Sequence, residues 1–101
     1  GLGRDIYITG HCANENSGSA EATLVCAAMT TLAQTIAQNV FDSEDTGDTD
    51  IIDVTLRSGQ AVISYVTDDD GLNTAVDGIC KGFDMLEENY PEYVSCYRSE
   101  R

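Results

Sequence analysis

The sequence is poor in basic residues, in proline and in histidine, and it has no long hydrophobic run. Only five lysines and arginines stand against eighteen aspartates and glutamates, a formal charge of -13. Duplex binding needs cations that neutralise phosphates, so nucleic acid is a poor direct ligand, and a basic protein or peptide is the expected partner. A single proline and a hydrophobic share of 42% argue against disorder. No apolar run approaches the roughly 20 residues that span a bilayer, so no membrane association is expected. The first residues, Gly1-Leu2-Gly3-Arg4, lead into strand-like sequence without a signal-peptide pattern. At 101 residues the chain is expected to be one domain, 1–101.

The four cysteines, Cys12, Cys26, Cys80 and Cys96, are an even number. In a small secreted protein that would suggest bridges. Here Cys26 and Cys80 fall inside predicted helices and no export signal is visible. Reduced thiols in a cytoplasmic protein are therefore expected, with Cys12 and Cys96 the pair to join in an oxidising compartment.

Hydrophobic periodicity organises the chain. Arg4 to Thr9 alternates, with Ile6 and Ile8 on one side, and predicts a half-buried strand ending at Gly10. A polar loop follows from Cys12 to Ala22. From about Thr23 to Val40, Val25, Met29, Leu32, Ile36 and Val40 recur at helical spacing, with Ser19 or Thr23 as the N-cap. Asp42 to Asp50 and Asp68 to Asp70 read as solvated acidic loops. Neither carries the residue pattern of a calcium loop. Residues 52–56 and 61–66 predict a hairpin turning through Arg57-Ser58-Gly59-Gln60, Val76 to Leu86 predicts a second helix, and Tyr93 to Cys96 a short edge strand. The expected fold is α+β in two layers, a small antiparallel sheet with two helices on one face.

One constellation can carry chemistry. Cysteine peptidases need a thiolate, a neighbouring base and donors for the developing oxyanion. With Thr23 as cap, Cys26 would be the third helical residue, where the helix N-terminus favours a thiolate, and the N–H groups of Cys26 and Ala27 would be free as oxyanion donors. His11, the only histidine, stands just past a strand and a glycine, and the loop that follows must return the chain to Cys26. A zinc site from His11, Cys12 and Cys26 fits none of the usual ligand spacings. No metal or cofactor is expected.

Three segments in order, Ile8-Thr9-Gly10-His11-Cys12, Leu24-Val25-Cys26-Ala27-Ala28-Met29-Thr30 and Glu88-Asn89-Tyr90-Pro91-Glu92-Tyr93-Val94, together resemble the ribosomal-processing cysteine protease (Prp) family. The resemblance implies that His11 and Cys26 match the catalytic dyad, supported by Gly10, Ala27 and Thr30, the last standing where the family has a serine. It also implies a homodimer that removes a short N-terminal extension from a large-subunit ribosomal protein, cutting after hydrophobic and aromatic residues, with phage relatives that process virion proteins. Cys12 departs from the family's usual alanine. The strand that family members place before the Gly-His strand is not visible here, leaving an edge that would favour pairing with a second chain. The alternative function is a non-catalytic, acidic, dimeric binding module associated with ribosome or phage assembly.

Overall fold

The computed structural model describes residues 2–10, 20–57 and 59–100. The elements follow one another as β1 (Leu2–Gly10), α1 (Ala20–Asp45), β2 (Thr49–Arg57), β3 (Gln60–Thr67), α2 (Asp70–Asn89) and β4 (Val94–Glu100). All pairings are antiparallel, and the strand order is β2-β3-β1-β4. This βαββαβ order is the ferredoxin-like arrangement, with its first and third strands in the middle of the sheet. The predicted two-layer α+β architecture holds.

The alternation read in β1 sets its faces. Ile6 and Ile8 are buried and Tyr7 is exposed. Their cross-strand partners Ile63 and Ala61 on β3 turn the same way, because side chains on paired residues share a face. Ile36 and Val40 of α1 and Val76 and Phe83 of α2 close over them as one core. Tyr65 is wholly buried in it, and its hydroxyl donates to Asn73 Oδ1 at 2.7 Å. Burial pushes the Tyr65 phenol up to about 12. Among the described residues, α1 is the one helix that by length and composition could cross a membrane; here eight of its residues are buried.

The sheet is completed by β4, which pairs with β1 from Arg4↔Glu100 to Gly10↔Val94, and four expectations are corrected, the first being the exposed edge. The short C-terminal strand runs on to Glu100 because its far half completes that pairing. β1 therefore offers no free edge to a second chain.

The acidic run 42–50 is not a loop throughout. α1 continues to Asp45 and β2 begins at Thr49. The helix persists because Ser43 turns inward to meet Thr49 Oγ1 at 2.6 Å, while Asp42, Glu44 and Asp45 stay in water. Asp68 to Asp70 is likewise more than a solvated link. Asp69 caps α2, its Oδ1 accepting from Gly71 N at 2.9 Å, and Asp70 opens the helix.

Candidate active site

α1 starts at Ala20, three residues before the expected Thr23 cap. Cys26 is therefore in the second turn, and the polar loop is shorter than Cys12 to Ala22. Two consequences follow from helix geometry. The N–H groups of Cys26 and Ala27 lie inside the i to i−4 ladder and are not free as oxyanion donors. The pull of the helix N-terminus on a thiolate fades beyond the first turn. The sequence reading missed this because both Ser19 and Thr23 are acceptable caps and alanines propagate a helix with equal ease from either.

What the helix does provide is alignment. At 100° per residue, Cys26, Thr30 and Ala33 form one line on α1, with Met29 beside it. Met29, Thr30, Ala33 and Gln34 make one wall of a cleft of about 340 Å³. The floor and opposite wall come from Ile8 and Ala61 in the sheet and from Leu56, Arg57, Gly59 and Gln60 around the β2–β3 turn. Cys26, half-buried, is one turn N-terminal to Thr30 on the same stripe of α1. The cleft pairs an apolar floor with a rim of amide, hydroxyl and guanidinium groups, which suits an apolar side chain on a polypeptide.

Gly10 ends β1 beside the cleft. Its N–H donates to Gly59 O at 2.9 Å, tying the strand end to the hairpin turn. Gly59 has φ +79, the left-handed conformation that glycine adopts freely. A Cβ at Gly10 would collide with the sulfur and terminal methyl of Met29 and lie 3.1 Å from the carbonyl of Tyr93. Gly10 is thus a place where α1, β1 and the Tyr93 turn meet too closely for any side chain. Met29 is three residues from Cys26, so this contact holds the end of β1 against the turn of α1 that carries the thiol. His11 follows at once in sequence and lies outside the described residues, as do Cys12 and Ser19.

Cys26 is disulfide-bonded, against the expectation of reduced thiols. Cys80 and Cys96 are free, so the bridge from Cys96 to Cys12 that an oxidising compartment would allow is not made. Among the described residues no three His, Cys, Asp or Glu side chains gather to hold a metal.

The family model of the cysteine protease Prp matches residues 2–95 of the chain. No curated protein matches. Among solved structures, the solution NMR structure of a de novo designed protein with a ferredoxin fold aligns with 99% of this chain and 83% of its own, at 14% identity and a TM-score of 0.44.

Proposed function

The chain belongs to the cysteine protease Prp family, and from that premise we infer an endopeptidase that removes a short N-terminal extension from a large-subunit ribosomal protein through Cys26 and His11. The observation that carries the reading is the family match over residues 2–95, and Cys26 is the half-buried cysteine on the stripe of α1 that also carries the cleft residue Thr30.

The thiol loses its proton to the imidazole and the thiolate attacks the scissile carbonyl. The carbonyl oxygen becomes an oxyanion, the C–N bond breaks as the imidazolium protonates the departing amine, and a thioester remains. Water, deprotonated by the same imidazole, releases the acid and restores the thiol. Because the helix occupies its own N–H groups here, side chains on the cleft wall are the better oxyanion donors. Thr30 and the amides of Gln34 and Gln60 are available for that role.

The apolar floor at Ile8 and Ala61 accepts a hydrophobic or aromatic residue next to the cut. The charge of -13 draws a basic polypeptide toward the enzyme at low ionic strength. The sulfur of Cys26 is no nucleophile while it is in a disulfide, so activity requires a reductant.

The test is cleavage of a basic peptide bearing an apolar residue before the cut, with and without dithiothreitol. Wild type cleaves only when reduced. Cys26→Ala and His11→Ala each lose activity by roughly 10³-fold or more, as expected when one member of a catalytic unit is removed. Their circular dichroism stays that of the wild type. Full cleavage by reduced Cys26→Ala would end the assignment.

A further inference from the structure

Two of the cysteines lie away from the cleft, on α2 and β4. Cys80 is 1% exposed and part of the core, and Cys96 is half-buried against it. Cys96 pairs with the buried Ile8, which places its side chain on the inward face of β4, toward α2. Cys96 packs against the core cluster that contains Cys80, and each thiol acts on the other's ionisation across the seam between α2 and β4.

Three contacts that do not involve sulfur hold them there. Arg98, two residues beyond Cys96 on the same face, donates to the backbone carbonyl of Cys80 at 3.2 Å. Its guanidinium also grips Asp84, one helical turn after Cys80, at 3.1 and 3.2 Å. The N–H of Cys96 donates to Glu87 Oε1, a further turn fraction along α2, at 3.2 Å. The strand is thus pinned to the helix on both sides of the thiol pair, and the apposition does not depend on the thiols themselves.

We propose that Cys80 and Cys96 are a redox-active dithiol, which hydrogen peroxide converts to a disulfide that staples α2 to β4. Cys80 is the sulfur that ionises first. Its thiolate is favoured by Cys96 and by Arg98, while Cys80 and burial hold the Cys96 proton in place.

The Cys80 thiolate attacks one peroxide oxygen, the O–O bond breaks, and hydroxide leaves with a sulfenic acid formed on Cys80. The hydroxide takes up the proton that Cys80 had released. Cys96 then attacks the Cys80 sulfur, its own proton goes to the departing oxygen, and water leaves. Two thiols are oxidised and one peroxide is reduced to two waters. The new bond closes a loop that contains Tyr93, whose carbonyl abuts Gly10, so the staple stiffens the segment against which the cleft is built. This inference rests on α2 and β4 and is independent of the assignment of Cys26 as nucleophile.

The experiment uses the full chain carrying Cys26→Ser, fully reduced, folded and exposed to a small excess of hydrogen peroxide, then quenched, alkylated and mapped by mass spectrometry. The expected product has lost two hydrogens, with Cys80 and Cys96 in one cross-linked peptide and a raised melting temperature that dithiothreitol reverses. In Cys96→Ser the link is absent and Cys80 is trapped by dimedone as a sulfenic acid. If Cys96→Ser does not fold, Cys80→Ser serves, with Cys96 remaining alkylatable after the same exposure. The proposal is overturned if both cysteines alkylate fully after peroxide, if they oxidise singly without linking, or if the link forms no faster in the folded chain than in urea.

Discussion

The two ends of the sheet are built from different chemistry. At the end where β1 begins, the C-terminus of α1 and the N-terminus of α2 meet over a closed set of hydroxyls. Ser43 and Thr49 are 2.6 Å apart, Thr49 and Thr67 2.8 Å, and Thr67 Oγ1 accepts from Asp69 N at 2.9 Å. No side-chain polar atom buried there, or among the other described residues, lacks a partner. At the end where β1 finishes, the contacts are apolar and close, between Gly10 and Met29, and beside them about 340 Å³ stays open. A cavity of about 280 Å³ also opens beside the hydroxyls, but Ser43, Thr46 and Asp69 on its wall are already bonded within the fold, whereas the cleft at the other end has an apolar floor under amide and hydroxyl groups. The difference is between a pole tied by its own hydrogen bonds and one that keeps an apolar-floored opening.

The sharpest way to break this contrast is to fill the cleft pole by one methyl. Gly10→Ala forces Met29 to move, and Met29 is both buried and part of the cleft wall. Overpacking of this kind costs about 1–3 kcal/mol. Because the displaced side chain enters the cleft, kcat/KM for a peptide substrate is expected to fall at least about tenfold, which corresponds to about 1.4 kcal/mol of lost transition-state binding. In a Met29→Ala background, where the colliding side chain is gone, Gly10→Ala should cost less stability than it does in the wild type. If Gly10→Ala were as stable and active as wild type, the close approach would have no part in the site.

At the other pole the expected loss is of stability alone. Thr49→Val keeps the shape and removes the hydroxyl between Ser43 and Thr67, leaving two buried groups short of a partner. Ser43 keeps Asp69 Oδ2 at 3.4 Å, and Thr67 keeps Asp48 O and Asp69 N, so the cost is that of two lost buried hydrogen bonds, about 1–3 kcal/mol together, read as a lower urea midpoint at unchanged slope. Peptide cleavage by the folded fraction should stay at the wild-type rate. A loss of kcat/KM in that variant, corrected for folding, would show that the two poles are not separable.

The contrast also marks how far the sequence can be read. The alternation of Ile6 and Ile8, the helical spacing from Val25 to Val40 and the glycine of the 57–60 turn were enough for strand, helix and hairpin, because each is a local pattern with one solution. The ends of α1 were not legible. Its start depends on a choice between two good caps, and its extension to Asp45 depends on Ser43 finding Thr49 and, through it, Thr67, a partnership fixed only when β2 and β3 are in register. The pairing of β4 with β1 was missed for the same reason, since nothing near Val94 says which strand it will join. At the site, the motif around Cys26 pointed to the thiol, but the helix start removed the expected oxyanion donors. The cleft itself was invisible, being made by residues from four elements. The collision that fixes Gly10 has no sequence signal beyond the glycine.

The smallest expected effect is at the cap of α2. Asp69 looked like one of three interchangeable acids, yet its Oδ1 takes the N–H of Gly71, its carbonyl takes the N–H of Leu72 at 3.1 Å, and its Oδ2 lies 3.4 Å from Ser43 Oγ. Removing an aspartate cap costs about 0.5–2 kcal/mol. Asp70→Ala, which does not supply the cap, should cost less than about 0.5 kcal/mol, the range of an ordinary surface change. Asp69→Asn, which keeps an oxygen acceptor without the charge, is expected to fall between Asp69→Ala and Asp70→Ala. Chemical denaturation of the two alanine variants and of Asp69→Asn checks that order. If both alanines lost the same stability, the effect would belong to the summed negative charge at the start of α2, and the cap would contribute nothing of its own.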